Sequence, residues 1–303
     1  MTDVLKNVLK KIDEEFIDYF KNDERIKTIF VAGSMAHDDY SDRKDNDYDI
    51  RAISNSVSRE QIINFEKFLC ELSKKLTTDN ISVGYSCLVG PVNHKVATDK
   101  KNILIHAVIH ETNQMDDFLP VTHKYQYGTR YRIVKGEDSL KRFENVKYNL
   151  DELLNAHEGL RYCIDMLKKK EYRYLSWDTD DNECNFNFHS VPIDDDVVFE
   201  ICFYSVNKFI NNLMTYCKWN DYFIPEDRMC FAIRLLGQDY INNNTLFLLH
   251  GLFSKNETIL KTIFENTLSE TIRLLEIFEK KVQQLDMIFP KKEYAKTKKL
   301  IKN

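Results

Sequence analysis

Two short segments, Thr28-Ile-Phe-Val-Ala-Gly-Ser34 and Asp47-Tyr-Asp-Ile50, carry most of the information about the fold. The first predicts an apolar strand that ends in a Gly-Ser turn, and the second predicts a strand that carries two aspartates. Side chains two residues apart on a strand point to the same face. Asp47 and Asp49 are therefore expected to project together, next to the turn formed by Gly33 and Ser34.

The residue types in these segments indicate a site for a metal ion and a phosphate group. Paired carboxylates are ligands for a hard divalent cation, usually Mg²⁺. A Gly-Ser turn that opens a helix offers backbone N–H groups to phosphate oxygens. An isolated Asp-x-Asp is weak support, because exposed acids beside a polar turn give the same pattern. The two segments together predict phosphoryl or nucleotidyl transfer.

Composition limits the classes of protein to which the chain can belong. Its 303 residues are 43% hydrophobic, with a net charge of −5, so a sizeable core is expected and a nucleic-acid partner is not favoured, although RNA is not excluded. The seven cysteines show no Cys-x-x-Cys spacing and indicate free thiols in a reducing compartment. No apolar leader or membrane-spanning run is visible, which predicts a cytoplasmic protein without a membrane partner.

Hydrophobic periodicity predicts an α+β fold with two domains. Residues 1–144 alternate between helical and strand patterns and predict a small mixed sheet covered by helices. Residues 145–303 show helical spacing and predict an all-α helical bundle, with one long helix over 259–285. Residues 177–196 are acidic and irregular, and predict a loop.

The segment Asp23-Glu-Arg-Ile, the Gly33-Ser34 turn and Asp47-Tyr-Asp-Ile50 together resemble the core of the polymerase-β-type nucleotidyltransferases. Within that superfamily, the chain is most similar to the streptomycin-type aminoglycoside 6-adenylyltransferases in these motifs, in their spacing and in length. The resemblance covers residues 23–53. The second half agrees with it only in helical character.

The resemblance implies a Mg²⁺-dependent transfer of a nucleoside monophosphate, with ATP as the donor and a small molecule such as an aminoglycoside as the acceptor. Gly33 and Ser34 would hold the triphosphate, and Asp47 and Asp49 would bind one or two magnesium ions. The metals would orient an attack by an acceptor hydroxyl and pyrophosphate would leave. The helical half would bind the acceptor.

The chain departs from the family pattern at its third carboxylate, which is expected on a later strand. There the sequence reads Asn102-Ile-Leu-Ile-His-Ala-Val-Ile-His-Glu111, and alignment puts His106 at the acid's position. Three interpretations stay open. His106 is the base, since a neutral imidazole can take a proton near pH 7; Glu111 is the acid in a different register; or the third group is lost and the protein is a binder or a weak enzyme.

Two basic residues receive separate interpretations. Lys208 lies at the edge of an apolar helical stripe, and in this fold a helical lysine often meets the triphosphate. The alternative is a surface lysine whose stem covers apolar groups. Arg51 is assigned to the opposite face of its strand from Asp49 and to a structural role.

Two other functions compete with the small-molecule transferase. One is a toxin or signalling nucleotidyltransferase that acts on tRNA, protein or another nucleotide. The other is a nucleotide sensor without turnover, which would bind Mg²⁺-nucleotide and be insensitive to alanine at His106 or Glu111.

Overall fold

The structure is a computed structural model, and it divides into two compact units. It describes residues 3–36, 45–91, 100–117, 119–147, 149–179, 184–219 and 225–288. The first unit comprises Met1–Lys147 with Arg173–His189, and the second comprises Tyr148–Tyr172 with Ser190–Asn303.

Among the described residues of the first unit, a five-stranded mixed sheet forms the centre, with the strand order β3-β4-β2-β1-β5. Its strands are β1 (Ile26–Ala32), β2 (Asp45–Ser54), β3 (Ile81–Ser86), β4 (Lys101–Glu111) and β5 (Tyr131–Gly136). β1 is antiparallel to its neighbours β2 and β5, whereas β4 is parallel to β2 and β3. The small mixed sheet that periodicity predicts is confirmed.

Two amphipathic helices, α1 (Asp3–Tyr19) and α2 (Arg59–Leu76), cover one face of this sheet. Ser58 caps α2 by accepting a hydrogen bond from the backbone N–H of Gln61. The apolar faces of both helices pack against alternate strand residues, which include Tyr48, Ile50, Ile105 and Ala107. Since strand side chains alternate, the positions between these residues face the other side.

Smaller elements cover parts of that other face. The helices α3 (Thr112–Asp117) and α4 (Val121–Thr129) pack over β1 and the end of β2. A hairpin of β6 (Glu171–Asp178) and β7 (Asn185–Pro192) packs over β4, where Trp177 donates from Nε1 to the carbonyl oxygen of Ile109 at 2.8 Å. Both faces of β4 are thus covered, which explains its nearly continuous apolar sequence.

The hairpin corrects two expectations, since residues 145–303 are not all helical and residues 177–196 are not one irregular loop. Strand alternation is visible at Asn185-Phe-Asn-Phe, where Phe186 is buried and its neighbours Asn185 and Asn187 are exposed. The many acids around the segment conceal this pattern. The two strands lie in the sequence between helices of the second unit, but most of their residues belong to the first unit.

Helices form the described part of the second unit, apart from the start and end of the hairpin. They are α5 (Leu150–Asn155), α6 (Leu160–Lys169), α7 (Val198–Tyr216), α8 (Pro225–Leu236), α9 (Asn243–Phe253), α10 (Glu257–Ile263), α11 (Thr267–Val282) and α12 (Leu285–Ile288). The single helix predicted over 259–285 is therefore wrong. Asn266 ends its continuity, because its side chain accepts from the N–H of Ser269 and caps a new helix.

All seven cysteines are unbridged, so the prediction of free thiols is confirmed. Cys163 and Cys202 are buried, whereas Cys230 is exposed. Among the helices that the structure describes, none combines the length and apolar character needed to cross a membrane.

Candidate active site

Gly33 brings the end of β1 close to the second aspartate of β2. Ala32, the last residue of β1, pairs with Asp49 in the antiparallel register. Gly33 follows at φ +73°, a left-handed conformation in which glycine pays no side-chain penalty. A β-carbon built on Gly33 would lie 3.1 Å from Oδ2 of Asp49. The turn and the carboxylate are thus neighbours. Ser34 belongs to the same 3-10 turn, Gly33–Ala36, but its side chain lies outside the described residues.

The alternation of β2 separates its acids from its core residues. Tyr48 is buried under α1, where its hydroxyl donates to Asp13 and accepts from Arg132. Asp47 and Asp49 lie on the opposite face and are both half-buried. The anchoring of Tyr48 on one face leaves the flanking carboxylates on the other. The structure therefore places the two aspartates as the sequence predicts.

Arg51 lies on the same face as Asp49, so its assignment to the opposite face is wrong. The two positions are two residues apart, and strand alternation puts them side by side. Nη2 of Arg51 lies 3.3 Å from Oδ1 of Asp49, and the Arg51 side chain is only 4% exposed. The alternation of β2 was enough to find this residue.

The parallel register of β2 and β4 places His106 directly beside Asp49. Nδ1 of His106 lies 2.8 Å from Oδ1 of Asp49 and 3.0 Å from Nη2 of Arg51. Nε2 of His106 bonds to the carbonyl oxygen of Leu88. Because a carbonyl oxygen only accepts, Nε2 must carry a proton in this arrangement. Both ring nitrogens are therefore engaged by groups of this chain.

The other candidate on β4, Glu111, has different surroundings. Glu111 pairs in register with Ser54, five residues beyond His106, and its Oε1 accepts from the N–H of Val57 at 2.8 Å. At about 3.3 Å per residue, that is about 16 Å along the strand. The structure thus brings His106, and not Glu111, to Asp49.

Lys208 lies on α7 in the second unit. Its Nζ is 3.1 Å from Oε2 of Glu158, and the two side chains are 12% and 7% exposed. The interpretation as a surface lysine is therefore wrong, and an internal ion pair accounts for its charge within the helical unit. Glu158 has φ +63°, an uncommon conformation for a residue other than glycine.

The charges around Asp49 keep it ionised. Burial opposes ionisation, but the hydrogen bond with His106 and the charge of Arg51 outweigh it and lower the pKa of Asp49 from 3.8 to about 2. His110 follows on the same face of β4, and burial, together with the charge of Arg51, lowers its pKa from 6.5 to about 3. At neutral pH the site therefore contains an anionic Asp49 and a neutral His110.

The carboxylates of the site suit a cation that is already bound to a phosphate group of the substrate. Within the described ranges, no group of three or more His, Cys, Asp or Glu side chains is arranged to hold a metal ion. Asp47 and Asp49 do supply carboxylate oxygens on one face, and Oδ2 of Asp49 faces the Gly33 turn. Mg²⁺ is commonly bound by one or two carboxylates together with substrate phosphates. The residues fit a Mg²⁺-nucleotide better than a bare ion.

Comparison with known proteins gives little further identification. No family model matches the chain, and no curated protein matches it. Among solved structures, the chain is similar to the crystal structure of spectinomycin adenyltransferase AAD(9) from Enterococcus faecialis with ATP and spectinomycin. The identity is 10% and the TM-score 0.47, over 89% of this chain and 99% of that one. At this level the likeness establishes neither a family nor an activity for this chain.

Proposed function

We propose that the chain is a Mg²⁺-dependent nucleotidyltransferase that moves AMP from ATP to a hydroxyl of a small molecule and releases pyrophosphate. The observation that carries this proposal is the approach of Gly33 to Oδ2 of Asp49, at 3.1 Å from a built β-carbon. It supports a backbone turn and a carboxylate pair acting on one ligand that is both phosphorylated and metal-bound.

Each residue of the site has a distinct part in the proposed reaction. Asp47 and Asp49 would hold the Mg²⁺, which when bound neutralises charge on the triphosphate. The N–H groups at Gly33 and Ser34 would orient its phosphate oxygens. The acceptor oxygen bonds to the α-phosphorus while the bond from that phosphorus to the bridging oxygen breaks. The bridging oxygen keeps the electron pair and leaves in pyrophosphate.

His106 is proposed as a positioning residue for Asp49 rather than as the base. Its Nε2 hydrogen faces Leu88, and its Nδ1 lies between Asp49 and Arg51. A base needs a lone pair directed at the hydroxyl. Asp49, with a pKa of about 2, is also a poor proton acceptor. Because this type of transfer depends mainly on positioning and electrostatics, the hydroxyl proton is proposed to pass to water.

The finer assignments follow the sequence resemblance and are part of the same proposal. The acceptor is a small molecule such as an aminoglycoside, the second unit binds it, and the protein acts in the cytoplasm. Lys208 is retained as a candidate triphosphate contact, although its contact with Glu158 supports a structural role equally well.

One observation favours a second candidate, the nucleotide sensor. Both nitrogens of His106 are engaged at the position of the family's third acid. A sensor would bind Mg²⁺-ATP without releasing pyrophosphate, and its binding would be insensitive to His106→Ala and Glu111→Ala.

Pyrophosphate release with Mg²⁺ and each of four nucleoside triphosphates, against acceptors that include streptomycin, tests the proposal. Release that requires one acceptor and is lost in Asp47→Asn supports the transferase. Asp18→Asn, on the exposed side of α1, is the matched control and should retain activity. Tight Mg²⁺-ATP binding without release for any acceptor contradicts the transferase and supports the sensor. Release with tRNA or protein alone contradicts the small-molecule acceptor.

A further inference from the structure

Arg51 places a permanent positive charge within the candidate active site. Its side chain is 4% exposed, and its Nη1 donates to the backbone carbonyl oxygens of His106 and Ile50. These bonds hold the guanidinium on strands β2 and β4. A guanidinium stays charged at physiological pH, and a buried charge is costly unless a counter-charge accompanies it.

The counter-charge is Asp49, and it is shared with His106. Nη2 of Arg51 lies 3.3 Å from Oδ1 of Asp49 and 3.0 Å from Nδ1 of His106. Nδ1 of His106 lies 2.8 Å from the same Oδ1. Two groups of the chain thus occupy one carboxylate oxygen, and a guanidinium nitrogen lies between the side chains of β2 and β4.

The other oxygen of Asp49 has a different environment. Oδ2 is directed toward Gly33, at the side where the turn begins. A small divalent cation binds carboxylate oxygens at about 2.1 Å, so a cation on Oδ1 would lie within a few ångströms of the Arg51 guanidinium. Like charges at that separation repel each other, and the Arg51 guanidinium is too buried for water to screen its charge fully. Oδ1 is therefore unsuited to a cation, whereas Oδ2 is compatible with one.

We propose that Arg51 is a built-in cation that replaces a second metal ion at this site. The site then binds one divalent cation, on Asp47 and Oδ2 of Asp49, and Arg51 supplies the remaining positive charge through Oδ1. This inference rests on the proposed function, because it concerns the metal that accompanies the nucleotide. His106 stands where another carboxylate would create a second metal site if Arg51 were absent.

Counting bound Mn²⁺ on the full chain tests this inference without an activity assay. Electron paramagnetic resonance of free Mn²⁺, titrated into the chain with α,β-methylene-ATP and corrected by the same titration of the nucleotide without protein, should give one ion per wild-type chain. His106→Asp alone should still give one ion, since Arg51 would pair with the new acid. The double variant His106→Asp/Arg51→Met should give two.

A matched control removes a different arginine, Arg132 of β5, which contacts β2 through Tyr48. Arg132 contacts Tyr48 and Asp13 on the opposite face of the sheet, at 2.9 Å from Asp13. His106→Asp/Arg132→Met should therefore still bind one ion, with folding of each variant checked by circular dichroism.

Two ions on the wild type would overturn this inference while leaving the proposed function standing. One ion on a folded His106→Asp/Arg51→Met variant would also overturn it, because Arg51 would not be what limits the count. If that variant does not fold, the wild-type count decides. No ion on the nucleotide-loaded wild type would overturn both the inference and the proposed function.

Discussion

Replacing Gly33 with alanine perturbs the site in two ways, and the structure gives the approximate magnitude of each. At φ +73° a β-carbon costs about 1–2 kcal/mol. The new carbon would also lie 3.1 Å from Oδ2 of Asp49, so the carboxylate or the turn must move by a few tenths of an ångström. We expect the free energy of unfolding to fall by about 1–2 kcal/mol, and Tm by about 2–6 °C.

The expected loss of activity is larger than the loss of stability. A misplacement of about 1 Å in a reacting group can cost about 100-fold in rate, so a smaller shift at Asp49 predicts a loss of about 10- to 100-fold in kcat. Pyrophosphate release at saturating ATP and acceptor measures this loss, and thermal unfolding followed by circular dichroism measures stability.

Gly84→Ala is the matched control, because it adds the same methyl group elsewhere on the sheet. Gly84 lies on β3, and its built β-carbon would be 3.5 Å from Cδ1 of Leu104, an ordinary contact. This variant should keep the wild-type kcat and Tm. Wild-type kcat in Gly33→Ala would refute the close relation of the turn to the reacting phosphates, even if Tm falls. Unchanged Tm would refute the strain.

Three further predictions concern the charges of the site and of the helical unit. Asp47→Asn and Asp49→Asn should each lower pyrophosphate release by about 10²- to 10³-fold, and activity within a few-fold of the wild type would reject the site. Asp49→Asn should also lower Tm, because the buried guanidinium of Arg51 loses its counter-charge. Because the pKa of His110 is depressed to about 3, the unfolded chain binds a proton that the folded chain does not, and stability is lost as pH falls from about 6.5 toward 3. His110→Phe should remove up to about 1.4 kcal/mol per pH unit of that loss, measured by denaturant unfolding at pH 4–7, and an identical pH slope in both proteins would contradict the assignment. Lys208→Met should lower the free energy of unfolding by about 3–5 kcal/mol, because Glu158 is left as a buried charge that has lost its counter-charge. The double variant Lys208→Met/Glu158→Gln should lower it by less, since both charges are removed. A loss of ATP affinity at unchanged stability would instead support the contact of Lys208 with the triphosphate.

Local patterns predicted the part of the fold that contains the motif. The apolar run of β1, the Gly-Ser turn and the alternation of β2 each depend on neighbouring residues, so the sequence was enough to place Asp47 and Asp49 on one face. The same alternation should have placed Arg51 beside them. The assignment of Arg51 to the opposite face was wrong although the two-residue spacing from Asp49 already indicated the same face.

Long-range pairing accounts for what local patterns could not predict. His106 reaches Asp49 because β4 pairs in parallel with β2 across a sequence separation of 57 residues, and parallel registers have no local turn to set them. The β6–β7 hairpin likewise packs over β4 although it lies between helices of the second unit in the sequence. The weak alternation in its sequence gave little sign of a strand, and the hairpin packs on the apolar face of β4.

The amino-acid sequence alone thus predicts the residue types of the candidate site, namely a Gly-Ser turn and two carboxylates on one strand face, because both depend on residue type and short spacing. The folded chain specifies how those charges are shared. Arg51 and His106 occupy Oδ1 of Asp49, and the Gly33 turn faces Oδ2. The physical reason is that electrostatic interactions depend on distances of a few ångströms between strands, which the register and burial of the sheet set.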